Sequence, residues 1–207
     1  MDRLVADDVI TAFVAVYRSV IGADDASAGS DPESAAVAAW DESTRLSPVD
    51  SEPPWLDALC ASRAELNWGA LPIALYAHYS WRDATLATIR LVGPANPSLR
   101  EGARAWADSG MWFVGYDYDD AGYYVATIAA GEKGAIYWLP NGSQPHDGCS
   151  ADRSTLVGPL ASSLTDLLHV ETKLLAQPER SPDVKRAAFA DDPVMRDAYD
   201  SWWCHQG

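Results

Sequence analysis

The 207-residue sequence predicts an α+β fold: a central antiparallel sheet of about four to six strands, with helices N-terminal and C-terminal to it packed on one side. Three observations carry this. Apolar residues recur at helical spacing up to about residue 80 and again from 162 to 177. Between 84 and 160 the spacing changes to period two. The turns within that middle stretch are too short for the crossovers that parallel strands need, so neighbouring strands must be antiparallel. With 48% apolar residues the chain has material for a substantial core, and its length favours a single domain over 1–207.

The first helix is expected over 4–21. Val9, Ile10, Phe13, Val14, Tyr17, Val20 and Ile21 share one face, and Gly22 stops it. An acidic, small-residue loop follows over 23–34. Asp31-Pro32-Glu33 then supplies a cap, a proline at the first helical position and a first-turn acid, which predicts a short alanine-rich helix to about Glu42. A breaker at 47–54 precedes a helix over 55–66 with Trp55, Leu56, Leu59 and Leu66 inward, and Leu71-Pro72 opens another through about Ser80. Residues 85–93 alternate like a strand. Asn96-Pro97 starts a helical segment that ends near Asp108-Ser109-Gly110.

Strands are predicted over about 111–116, 122–130 and 134–139, with another at 154–160. Gly131 to Gly134 and Asn141-Gly142 make the turns that follow. Ser162 or Ser163 caps a helix that runs through Leu164, Leu167, Leu168, Val170, Leu174 and Leu175. Beyond Gln177-Pro178 the chain turns polar. Tyr199, Trp202 and Trp203 are then expected to dock back on the body, because three exposed aromatics would form an apolar patch.

Composition narrows the function. The formal net charge is -15, which disfavours nucleic acid and anionic lipid as direct partners and favours basic proteins. No run approaches the roughly 18 apolar residues of a membrane helix. The opening MDRLVADD lacks the basic segment and apolar core of a secretory leader. Cys60, Cys149 and Cys204 are odd in number and widely spaced, which fits a reducing cytoplasm rather than a disulfide framework.

The stretch WFVGYDYDDAGYYV, residues 112–125, packs three aspartates, four tyrosines and two glycines into fourteen residues. Asp117, Asp119 and Gly122 match positions 1, 3 and 6 of an EF-hand loop. Ala121 and Ile128 occupy positions 5 and 12, where ligands are required, and the flanks read as strands. A tight turn with solvated carboxylates is the better reading. His146, Cys149, Cys204 and His205 lack the spacing of a zinc clip. A Cys149–His146 nucleophile pair has nothing more specific behind it. Neither a metal nor a cofactor is therefore expected. There is no P-loop, no Gly-rich dinucleotide motif, no nucleophile elbow and no zinc-protease helix, so no catalytic set can be named.

The second half resembles the SUKH superfamily, which contains many bacterial toxin-immunity proteins and a fungal cell-wall-synthesis regulator. The resemblance spans about Trp68 to Leu175. NWGALPIALYAHYS is similar to that family's Leu-Pro helix, MWFVGYDYDDAGYYV to its strand–turn–strand, GAIYWL to the next strand, and LASSLTDLL to the helix that closes its core. The family often has an acid after the turn glycine and another in the next strand; here those places hold Tyr123 and Ala126 or Thr127. The resemblance implies an α+β fold and a binding role rather than catalysis, which in immunity members means neutralising a cognate toxin enzyme; the acidity of this chain points to a basic one. A regulatory or scaffold module of the same fold and an enzyme of unrecognised type are the alternatives. The expected partner surface is Tyr116, Asp117, Tyr118, Asp119, Asp120 and Tyr123, where tyrosines give contact area and carboxylates steer a cationic partner. If all three aspartates are solvated, exchanging them for asparagine is expected to leave folding nearly unchanged.

Overall fold

The computed structural model describes residues 2–25, 46–49, 52–117, 119, 121–146, 148–178 and 181–205. Its helices are α1 (Asp2–Asp25), α2 (Pro54–Ser62), α3 (Ile73–His78), α4 (Pro97–Asp108), α5 (Leu164–Leu175), α6 (Pro182–Phe189) and α7 (Pro193–Ala198). The strands are β1 (Ser47–Pro48), β2 (Tyr79–Ser80), β3 (Asp83–Thr85), β4 (Arg90–Val92), β5 (Met111–Tyr116), β6 (Gly122–Thr127), β7 (Ile136–Pro140) and β8 (Val157–Ala161). β1 and β2 form a two-stranded ribbon. β3 to β8 form one six-stranded antiparallel sheet in chain order, the meander that short turns require.

The fold is α+β, as expected, but the helices lie on both sides of the sheet rather than on one. The alternation of β5 and β6 explains why. Phe113 pairs with Val125 and Trp112 with Ala126, so the two strands turn large apolar side chains to both faces. On one face Trp106 of α4 stacks on Phe113 at 5.4 Å and tilts against Tyr123 at 5.7 Å. On the other, Trp112 is surrounded by Trp55 of α2, Trp68 and Tyr76 of α3, while Trp203 stacks on Tyr124 at 5.8 Å. A sheet loaded on both faces needs cover on both. One core cluster runs from Ile10 in α1 to Trp203.

β5 carries a bulge between Phe113 and Gly115 that shifts its register with β6 by one residue. β4 approaches so closely there that any Cβ on Gly115 would collide with the Arg90 carbonyl oxygen, which is why glycine occupies the site. Helix starts follow their sequence signals. The Asn96 side chain accepts from Ser98 N and Leu99 N with Pro97 next, and Ser163 Oγ accepts from Asp166 N. Ser162, the alternative cap, instead donates to Asp192, which also accepts from Val194 N and so ties the end of β8 to the start of α7.

Several boundaries differ from expectation. α1 runs through Gly22 to Asp25, since one helical glycine costs only about 1 kcal/mol. α2 stops at Ser62, before the expected end at residue 66, and α3 spans only Ile73–His78. The alanine-rich helix expected to Glu42 and most of the acidic loop 23–34 lie outside the described residues. The tail beyond 178, expected to be polar, contains α6 and α7, and it docks through Phe189, Tyr199 and Trp203 as the aromatic argument required.

The strand expected over 85–93 is a hairpin instead. β3 and β4 are joined by a turn in which Leu86 N donates to Ile89 O, and Leu86, Ala87, Thr88 and Ile89 are all buried. The deciding residue lies far away in sequence. Glu171 of α5 is fully buried and accepts hydrogen bonds from Ala87 N at 2.6 Å, Thr88 N at 3.1 Å and the Thr88 hydroxyl. A carboxylate filling a pair of backbone N–H groups satisfies a turn that could not otherwise be buried. Glu171→Ala is expected to lower unfolding free energy by about 2–4 kcal/mol, because it strands these donors in the core. Urea denaturation of the variant checks this, and an unchanged midpoint would contradict the role.

Candidate partner-binding site

The turn between β5 and β6 is built on Asp117. Its Oδ1 accepts from Ala121 N at 2.8 Å, closing the turn, and its Oδ2 accepts from Trp138 Nε1 of β7 at 3.0 Å. Its carbonyl oxygen accepts from Arg90 Nη2 at 3.3 Å. Only 6% of Asp117 is exposed. The expectation of three solvated carboxylates is therefore corrected: Asp117 is a buried turn-former, with each carboxylate oxygen already holding an N–H donor. Asp119 is exposed at the tip. Tyr118 and Asp120 lie outside the described residues.

Tyr116 and Tyr123 are half-buried and pair across β5 and β6, their ring centroids 5.8 Å apart. Both pack on Phe113, and the Arg90 guanidinium lies 5.9 Å from the Tyr116 ring. Burial pushes the Tyr116 hydroxyl up, opposed by a hydrogen bond with Ser98. These tyrosines are thus the outer rim of the aromatic core under α4, each with one side toward solvent.

Sequence reasoning missed the second half of this site. Trp138 shares a sheet face with Tyr124, its partner across the strands, and its indole lies 5.2 Å from that of Trp202, inclined by 56°. Trp202 Nε1 donates to the Tyr124 hydroxyl at 3.2 Å. Both indoles remain half-exposed. Gly122 makes room for this arrangement, since a Cβ there would meet the Trp138 ring at 2.6 Å. The hairpin turn and the aromatic tail therefore meet at one end of the sheet. Period two put Trp138 on the face of Ile136, but no local signal brings Trp202 to it.

The end of the sheet nearest Gly110 carries an open cleft of about 610 Å³, lined by Arg63, Leu66, Asp108, Ala129 and Arg153 among others. Its arginines are committed: Arg63 to Asp108 at 2.6 Å and Arg153 to Glu132 at 2.5 Å. Among the described residues no group of three or more His, Cys, Asp or Glu is placed to hold a metal ion. No described helix is long and apolar enough to cross a membrane.

The chain matches no family model, no curated protein and no solved structure.

Two measurements separate the carboxylates and the thiols. Asp117→Asn is expected to cost about 1–3 kcal/mol, because an amide cannot accept from both Ala121 N and Trp138 Nε1. Asp119→Asn should stay within about 0.5 kcal/mol. Paired denaturation curves check the contrast. Cys60 is half-buried, and burial, with Asp57 and Glu52 nearby, raises its thiol pKa. At about pH 8 it holds less thiolate than an unburied cysteine and should react with a disulfide reagent more slowly than exposed Cys149 and Cys204. Two fast equivalents and one slow one are the expected trace.

Proposed function

We propose that this chain is an immunity protein of the kind its resemblance to the SUKH superfamily implies: it binds a basic toxin enzyme and neutralises it. The observation that carries the reading is the tip of the β5–β6 hairpin. There an exposed carboxylate, Asp119, sits on a turn flanked by two half-exposed aromatic pairs, Tyr116–Tyr123 and Trp138–Trp202. Aromatics with partly buried rings give contact area at little entropic cost, and Trp and Tyr are the residues on which interface energy concentrates.

Electrostatics supports the same partner. The chain has 30 acidic against 15 basic residues. Several bases are consumed internally, as in Arg63–Asp108, Arg153–Glu132, Lys173–Asp191 and Arg186–Asp200, and the acid surplus remains to face a partner. A surplus of this sign speeds encounter with a cationic surface and slows encounter with nucleic acid. Packing of Tyr116 and Tyr123 on Phe113 and the Trp202–Tyr124 hydrogen bond position the aromatic rims before binding, which lowers the ordering cost.

The test uses the product of the adjacent reading frame. A basic toxin domain encoded there should be inhibited at equimolar ratio by the purified chain. Its association rate, read by stopped flow, should fall about tenfold from low to physiological salt. Asp119→Asn should lower that rate about two-fold and flatten the salt dependence without changing stability. A neighbouring toxin that is neither bound nor inhibited would overturn the proposal.

A further inference from the structure

We propose that the Trp138–Trp202 pair receives one arginine side chain of the partner, its guanidinium lying over the paired indoles. The inference deepens the basic-partner reading and rests on it. Four features of the pair specify a planar cation.

The first is what the two indoles have left to offer. Each ring spends its only hydrogen-bond donor inside the protein, Trp138 Nε1 on Asp117 Oδ2 and Trp202 Nε1 on the Tyr124 hydroxyl. The surface they present is therefore π face and ring edge, with no N–H for an anion or a sugar hydroxyl. The second is polarisation. Donation from Trp138 Nε1 to a carboxylate oxygen of Asp117 shifts electron density into the indole and makes its face more negative, which strengthens attraction for a cation.

The third is that no described cation already takes the place. The described arginines that lie over rings use Tyr79, Tyr116 and Tyr199, and none covers this tryptophan pair. The fourth is shape. With centroids 5.2 Å apart and planes inclined by 56°, a flat group stacked on the exposed part of one ring would meet the other ring at an angle. Guanidinium is planar, weakly hydrated and stacks on aromatic faces, whereas ammonium is compact and strongly hydrated. The net charge of -15 adds long-range attraction for either cation, so the aromatic pair is what tells them apart.

The probes are fluorescein-labelled hexa-arginine and hexa-lysine peptides of equal charge, titrated by anisotropy at low and physiological salt. Wild-type protein should bind the arginine peptide at least about fivefold more tightly than the lysine peptide. Trp202→Leu, which keeps an apolar side chain but removes the π face, should bring the two within about twofold. Equal affinities in the wild type, or a preference that survives in Trp202→Leu, would overturn the proposal. If both peptides bind equally with salt sensitivity, the basic-partner reading stands and this one falls; if neither binds, both fall.

A second readout does not depend on the variant folding. In ¹⁵N spectra of the wild type, the indole resonances of Trp138 and Trp202 should shift saturably with hexa-arginine, while those of buried Trp112 and Trp203 stay put. Shifts in all four, or in none, would count against the site. A saturable shift of the same two resonances with chito-hexaose would reassign the pair to carbohydrate and overturn the arginine assignment.

Discussion

Everything in this protein follows from a pair of strands that cannot face water on either side. β5 and β6 turn Phe113, Tyr123 and Val125 one way and Trp112, Tyr124 and Ala126 the other. An antiparallel hairpin with one wet face needs a single layer of helix. This one needs two, and they come from different parts of the chain. α4 covers the first face through Trp106. α2, α3 and the C-terminal segment divide the second between them, around Trp112 and Tyr124. The unusual number of tryptophans, nine in all, is mostly explained by this demand. Wide rings bury large areas from few positions and interlock across layers.

The same constraint shapes the candidate site. Where the two covering layers run out at the hairpin tip, the last aromatics of each face are left half-covered: Tyr116 and Tyr123 on one side, Trp138 and Trp202 on the other. Asp117 holds the junction by satisfying a backbone N–H of its own turn and an indole N–H from the next strand. A charge that terminates a core in this way is not available to a partner as a free carboxylate. It fixes the geometry of the groups that are.

Legibility in the sequence depended on the range of the interaction. The helix starts at Pro97 and Leu164 were readable because their caps lie within three residues. β5, β6 and β7 were readable because alternation and turn residues are local. The β3–β4 turn was not, because the group that stabilises it, Glu171, sits about eighty residues away and looks like an ordinary surface acid on a helix. α6 and α7 were missed for a related reason: their sequences are polar, and the large apolar side chains that anchor them are few, chiefly Phe189, Met195 and Tyr199. At the site, tyrosines and aspartates on one turn suggested a uniform solvated patch. Which carboxylate was solvated depended on where Trp138 ended up, and that is a tertiary fact.

Trp203 adds a matter of timing. The sheet is complete in sequence at Ala161, yet the ring that stacks on Tyr124 and Phe189 is synthesised about forty residues later, an interval of roughly 2–8 s at ribosomal speed. A sheet that formed during that interval would have its aromatic face around Tyr124 without the Trp203 ring. A chaperone that holds apolar strands would find its target in this window, and slower translation of residues 162–203 would lengthen the exposure. If the sheet forms before the chain is finished, the delay in covering Tyr124 grows with the time taken to make the last helices.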